Sequence, residues 1–137
     1  SHGEYIAFLD DDDMFLENKL QRQISAMLDN PDAGLCCANM YKINYDAEGK
    51  WRVIGPYFAT SILTTRFTRE AITRSNYINN STVLIKREIL ERCSPFKLGK
   101  NEDYDMWLRA MEHTSGIYID EPLTYYTVNT VKNYSYR

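Results

Sequence analysis

Residues Tyr5 to Leu9 are apolar at every position, and the run stops abruptly against Asp10, Asp11, Asp12 and Asp13. A short segment apolar on both faces is a buried central strand, because only a strand covered on both sides keeps such a pattern. Past the aspartates the period changes. Leu16, Leu20, Ile24 and Leu28 recur every four residues, with Met27 beside them and Glu17, Lys19, Gln21 and Arg22 opposite. That spacing predicts an amphipathic helix with the leucines inward, closed by Asn30-Pro31. A strand, an acidic junction and a helix in succession open an α/β fold.

The rest of the chain continues that alternation. Ala33 to Tyr45 is a second apolar run, Asp46 to Gly49 a turn, and Trp51 to Ile54 a short strand. Residues 56–78 carry Thr60, Thr64, Thr65, Thr68 and Thr73 among Arg66, Arg69 and Arg74, and read as loop with one helix. Those arginines either meet phosphate or an acidic glycan or keep the surface wet. Ser81 to Ile85 is a strand, Arg87 to Cys93 a short helix, and Ser94-Pro95-Phe96 a break. The polar loop Lys97–Asn101 leads into a helix from Glu102 to His113, with Met106, Trp107, Ala110 and Met111 as its apolar stripe. Gly116 is placed just past its end as a stop signal. Ile117-Tyr-Ile and Leu123-Thr-Tyr-Tyr are two short strands parted by Glu121-Pro122. The expected architecture is one domain with a mixed sheet, over residues 1–137.

Charge and cysteine content narrow the chemistry. Lys and Arg number 16 against 19 Asp and Glu, a formal charge of -3, which argues against nucleic acid as a partner. The three cysteines, Cys36, Cys37 and Cys93, lack framework spacing and read as buried thiols of a reducing, cytoplasmic compartment. The two histidines, His2 and His113, are too far apart to suggest a metal pair. The sequons at Asn80 and Asn133 carry little weight without a secretory signal. The chain opens Ser1-His2-Gly3-Glu4, almost directly in a strand and without Met, and reads as a piece of something longer.

Two acidic sites carry the chemistry. Along the end of a strand Asp10 and Asp12 would point the same way, a short hard-oxygen chelate for Mg²⁺ or Mn²⁺. The competing reading is that the run caps the following helix, which accounts for Asp13 and Asp12 but does not need four aspartates. An EF-hand fails on spacing, since Phe15 and Gln21 stand where Gly and Glu are required. A haloacid-dehalogenase-like phosphatase with Asp10 as nucleophile is a further alternative, weakened by Met14. The second site is Asn101-Glu102-Asp103-Tyr104-Asp105, opening a helix. An ionised carboxylate there is a candidate general base, with simple helix capping as the alternative and Asp105 on the helix surface. Trp107 reads as core, with sugar stacking as the other possibility. Trp51, Tyr57 and Phe58 are candidates for an acceptor groove or ordinary half-buried aromatics.

The two sites in this order resemble family 2 glycosyltransferases of the GT-A fold. Gly3-Glu4-Tyr5-Ile6 through Leu9-Asp10-Asp11-Asp12-Asp13 resembles the family's strand and Asp-x-Asp segment. Glu102-Asp103-Tyr104-Asp105-Met106-Trp107-Leu108-Arg109 resembles its Glu-Asp-x-Asp segment, and Ile117 to Tyr126 its closing strands. The resemblance implies a Rossmann-like GT-A domain whose nucleotide-binding first strands lie outside this chain, leaving the first strand at a sheet edge. It implies sugar transfer from a nucleotide-sugar, a UDP-sugar first among donors, to a hydroxyl of a glycan or lipid-linked glycan, with inversion. Asp10, Asp11 and Asp12 would bind the donor, Asp12 and Asp10 the metal, Mn²⁺ or Mg²⁺. Asp103 would be the base, with Glu102 assisting. Asn79, Asn80, Ser81 and Trp107 would lie on the acceptor side. The family's metal- or diphosphate-reaching His after the last tyrosines has no counterpart in Tyr125-Tyr126-Thr127-Val128-Asn129, leaving Lys132 or Arg137 as substitutes. It also implies a cytoplasmic location at the inner face of the membrane, reached through segments outside this chain. The non-enzyme alternative is a carbohydrate- or metal-binding fragment.

Overall fold

The computed structural model describes residues 4–58, 66–74, 78–93 and 102–129, without the side chains of Glu102, Asp103 and Asn129. His2, Thr60, Thr64, Thr65, the break at Ser94, the loop before Asn101, Lys132, Asn133 and Arg137 lie outside these residues. Two long strands form the centre of the sheet, β3 (Ala33–Tyr45) and β7 (Ser115–Asn129), paired in parallel. Four strands pair antiparallel along their outer sides. β6 (Leu84–Lys86) and then β4 (Trp51–Pro56) border β3, while β5 (Arg66–Phe67) and β2 (Met14–Phe15) border β7. β1 (Tyr5–Ala7) pairs with β6. The helices are α1 (Lys19–Asp29), α2 (Arg69–Arg74), α3 (Arg87–Arg92) and α4 (Glu102–Ala110), with a 3₁₀ turn at Asn80–Thr82. This is the expected α/β mixed sheet.

The near-continuous apolar β3 is buried because both its faces are covered. Leu35 and Cys37 face one core with Val83, Ile85, Met106, Trp107 and Tyr118. Cys36 and Ala38 face the other with Met27, Leu84, Ile117 and Leu123. All three cysteines are buried and free, and burial raises their thiols, that of Cys36 to about 11. They are packing groups, as expected.

Four expectations fail in detail. The first strand is shorter than Tyr5–Leu9, with Leu9 half exposed; among the described residues it lies at the sheet edge, as the resemblance implied, and not in the centre as its apolar run suggested. The helix buries Lys19, Gln23 and Met27, whereas Leu28 is 66% exposed and Leu20 is also exposed. Both sets recur every four residues, so period alone does not choose between them. A polar demand does: Gln23 Nε2 donates to the Thr82 carbonyl at 2.7 Å, and Lys19 Nζ donates to Gln23 Oε1 at 2.6 Å. Third, β7 is one strand, not two. Its register against β3 steps from Ile119 to Pro122, so Asp120 and Glu121 bulge out. Proline, lacking an N–H, is tolerated there. The bulge lets Glu121 reach Arg22 at 2.8 Å. Fourth, Gly116 lies within β7 rather than stopping α4, because a Cβ there would sit 2.5 Å from the Phe67 ring.

Lys19 gives a pH signature. It is 0% exposed, and burial lowers its pKa from 10.5 to about 8. Between those values the unfolded chain binds the extra proton, so folding stability contributed by this site rises with pH; below about pH 8 the burial penalty is constant and fully present. At 1.36 kcal/mol per pH unit, wild type should gain up to about 3 kcal/mol relative to Lys19→Met from pH 8 to 10.5. Urea midpoints at each pH measure it, and parallel pH profiles would refute it.

Candidate functional site

The acidic run folds as a tight turn. The Asp13 N–H donates to the Asp10 carbonyl at 3.1 Å, and β2 begins only at Met14. The expected strand-end alternation of Asp10 and Asp12 therefore does not apply. Nor do these residues cap α1, which starts at Lys19 with Asn18 before it. Each aspartate has its own environment. Asp13 is 5% exposed; its Oδ2 accepts from Ser81 Oγ at 2.7 Å and its Oδ1 from the Thr127 N–H at 3.3 Å. Burial lifts its pKa from 3.8 to about 6, against those two bonds and helped by the charges of Asp12 and Asp10. Asp13 is the anchor of the turn.

Three chain segments lock that anchor. Ser81 Oγ also accepts from the Asp10 N–H at 2.9 Å. Thr127 Oγ1 donates to the Asp12 carbonyl. Thr124 Oγ1 donates to the Ser81 carbonyl at 3.0 Å, tying the 3₁₀ turn to β7. The 3₁₀ turn is itself fixed by Asn79, whose Oδ1 accepts from the Ser81 N–H at 2.9 Å. Behind it, the Gln23 carboxamide holds the Thr82 carbonyl. Sequence reasoning missed Gln23, Thr124 and Thr127, and named Asn79 for the acceptor side, where its carboxamide oxygen instead accepts from the Ser81 N–H. The one available signal was a buried amide forced into a helix that seemed to offer better apolar stripes.

The outward carboxylates remain. Asn80 Nδ2 donates to Asp10 Oδ1 at 3.1 Å. Asp11 is exposed and Asp12 half-buried, and neither carboxylate has a hydrogen bond or ion pair among the described residues. No Lys or Arg among the described residues forms an ion pair with any of the four aspartates. No trio of His, Cys, Asp or Glu among the described residues is gathered to hold a metal. Asp10 and Asp12 thus fit a Mg²⁺- or Mn²⁺-type site of one or two carboxylates completed by substrate oxygens.

The helix that the second acidic segment opens, α4, touches the segment leading into the turn. Trp107 of α4 meets Phe8 edge-on, centroids 5.4 Å apart, two residues before Asp10. Asp103 occupies the position one helical turn ahead of Trp107. Asp105 is on the helix surface, paired with Arg109 at 3.1 Å. Two acceptor-side expectations are corrected. Trp107 is 1% exposed, so no ring face is open to a sugar. Ser81 is fully buried with its hydroxyl used by Asp10 and Asp13. Asn80 stays at the surface of the turn, its amide on Asp10. Of the arginines, Arg66 bonds Asp32 and Asn30, Arg69 the Leu108 carbonyl, and Arg74 is 4.0 Å from Glu70.

The profile of glycosyl transferase family 2 matches residues 1–94, which include the acidic turn, Gln23, Asn79 and Ser81 but not Thr124 and Thr127. The chain belongs to that family. It is 33% identical over 110 residues to the UDP-Glc:alpha-D-GlcNAc-diphosphoundecaprenol beta-1,3-glucosyltransferase WfgD of Escherichia coli, covering 80% of this chain and 39% of that protein. It is 30% identical over 138 residues to an uncharacterised glycosyltransferase of Haemophilus influenzae, covering 97% and 45%. An uncharacterised glycosyltransferase of Methanocaldococcus jannaschii is 27% identical over 145 residues, covering 98% and 45%. The chain spans less than half the length of these curated relatives. Membership in family 2 replaces the phosphatase reading of Asp10. No helix among the described residues is long and apolar enough to cross a membrane.

Proposed function

We propose that this family 2 chain carries the diphosphate-binding and acceptor side of a glycosyltransferase that moves a sugar from a nucleoside-diphosphate donor to a hydroxyl of a lipid-linked glycan. The observation that carries the reading is the locked acidic turn, which presents carboxylates that pair with no Lys or Arg among the described residues. Asp12 is the direct metal ligand and Asp10 supports it, oriented by Asn80. Bound there, Mn²⁺ or Mg²⁺ supplies positive charge to the departing diphosphate. Asp103, with Glu102 beside it, takes the proton from the acceptor hydroxyl. That oxygen attacks the anomeric carbon from the side opposite the diphosphate. The carbon–oxygen bond to the diphosphate breaks, its electron pair leaves with the diphosphate, and the centre inverts. A lipid-linked acceptor, the class named for the E. coli relative, would place the enzyme at the cytoplasmic face of a membrane.

Calorimetry of UDP binding with and without Mn²⁺ tests the reading, on this chain and on the complete gene product. Wild type should bind UDP only with Mn²⁺, and Asp12→Ala should weaken that binding by at least about tenfold, the scale of lost metal-site interactions. Absence of Mn²⁺-dependent UDP, GDP and CDP binding from both forms would overturn it.

A further inference from the structure

Beyond the acidic turn, one exposed aromatic is held more firmly than its burial warrants. Asn39 of β3 is 3% exposed, and its carboxamide is spent on the backbone past the end of β4. Its Nδ2 donates to the Phe58 carbonyl at 3.0 Å, and its Oδ1 accepts from the Phe58 N–H at 3.1 Å. The Tyr57 N–H adds a bond to the Met40 carbonyl at 2.7 Å. A buried amide with both ends satisfied fixes what it bonds, because breaking either bond strands a desolvated polar group. What it fixes directly is the Phe58 backbone, and through that link the adjoining Tyr57, whose ring stands edge-on to Phe58 (4.8 Å, 87°) and to Tyr126 of β7 (5.5 Å, 89°). Yet Tyr57 is 42% exposed. Its burial alone does not account for such a clamp.

Its position is informative. Tyr126 directly precedes Thr127, the residue that bonds both Asp13 and Asp12. The Tyr126 phenol is held above its ordinary range by burial, then by Tyr57 and by Asp13, Asp12 and Asp10, so it lies within electrostatic reach of the turn. The neighbouring Tyr125 alternates to the opposite face, where it stacks on Tyr41 at 5.9 Å and meets Trp51 at 5.0 Å. Tyr57 and Tyr126 are thus the aromatic pair beside the carboxylates. A rigid ring with an open face and nearby phenol hydroxyls suits a pyranose, which offers C–H groups from one face and hydroxyls from its edge.

We propose that Tyr57 and Tyr126, set in place by Asn39, form the wall on which the pyranose ring of the acceptor packs. This rests on the glycosyltransferase reading for its assignment to the acceptor. Tyr57 is a sugar contact and Asn39 a positioning residue.

Saturation-transfer NMR on the complete gene product, with methyl glycosides of glucose, galactose, mannose and N-acetylglucosamine as probes, tests it. At least one probe should receive saturation from wild type. Tyr57→Phe should retain it, and Tyr57→Ala should weaken the binding by about tenfold, the worth of a good aromatic contact. Asn39→Ala should weaken it while Tyr57→Phe melts as wild type does. No transfer to any probe, or transfer unchanged in Tyr57→Ala, overturns the inference. A probe displaced by UDP-glucose but not by UDP would put the ring on the donor sugar and overturn the acceptor assignment. Mn²⁺-dependent UDP binding is read separately: if it persists where probes fail, only this inference falls. If it is absent while Tyr57-dependent probe binding remains, the transferase reading falls, the acceptor assignment falls with it, and a sugar-binding wall is left.

Discussion

Asp103→Asn in the complete gene product should lower turnover by about 10²- to 10⁴-fold, the usual contribution of a positioned general base. Asparagine keeps the shape of the side chain and loses the site for the proton. Metal-dependent UDP binding should stay within about twofold of wild type, because the loss belongs to the transition state. The position is what makes the prediction sharp. α4 is brought to the end of β1 by Trp107 against Phe8, two residues from Asp10. Asp103 sits one turn nearer the start of that helix. The same steady-state assays on Glu102→Gln separate the two acids: a larger loss there than at Asp103 would transfer the role of base to Glu102.

Trp107→Ala should destabilise the fold by about 3–5 kcal/mol, the cost of removing a large buried aromatic and leaving a cavity. Trp107 is among the largest fully buried side chains and belongs to the core shared by α2, α3 and α4. Thermal or urea denaturation measures the loss. Trp107→Phe should recover most of it, since a ring still meets Phe8 and the indole Nε1 has no hydrogen-bond partner among the described residues. An alanine variant as stable as wild type would mean that α4 is not packed as described, which would also detach Asp103 from the acidic turn.

The extent to which these features were readable from residues differs by kind. β3 is visible in full, because a long run of small and apolar residues has few homes other than a strand covered on both faces. The stripe of α4 is equally plain, and Met106, Trp107, Ala110 and Met111 are all buried. The inward face of α1 is not, because Leu20 and Leu28 satisfy the same period as Gln23 and Met27. The winner was chosen by the Thr82 carbonyl, fifty-nine positions away from Gln23 in the chain. The bulge at Asp120-Glu121 is likewise a property of the β3–β7 register, so Pro122 alone suggested a break between two strands.

At the candidate site the division is sharper. Sequence by itself determined that four adjacent carboxylates end an apolar strand and that a second acidic pair opens a later helix, since these follow from residue type and order. Only the tertiary structure decided which aspartate is anchor and which face outward. Asp13 is buried because Ser81 and Thr127, from two other segments, converge on its oxygens; among the described residues no hydrogen bond or ion pair reaches the carboxylates of Asp11 and Asp12. Tyr57 shows the same dependence, its own N–H held by the Met40 carbonyl and its neighbour Phe58 by the Asn39 carboxamide, both from another strand. A local pattern sets period and charge, but burial and hydrogen bonding are settled by groups distant in the chain, and those groups have no local signature.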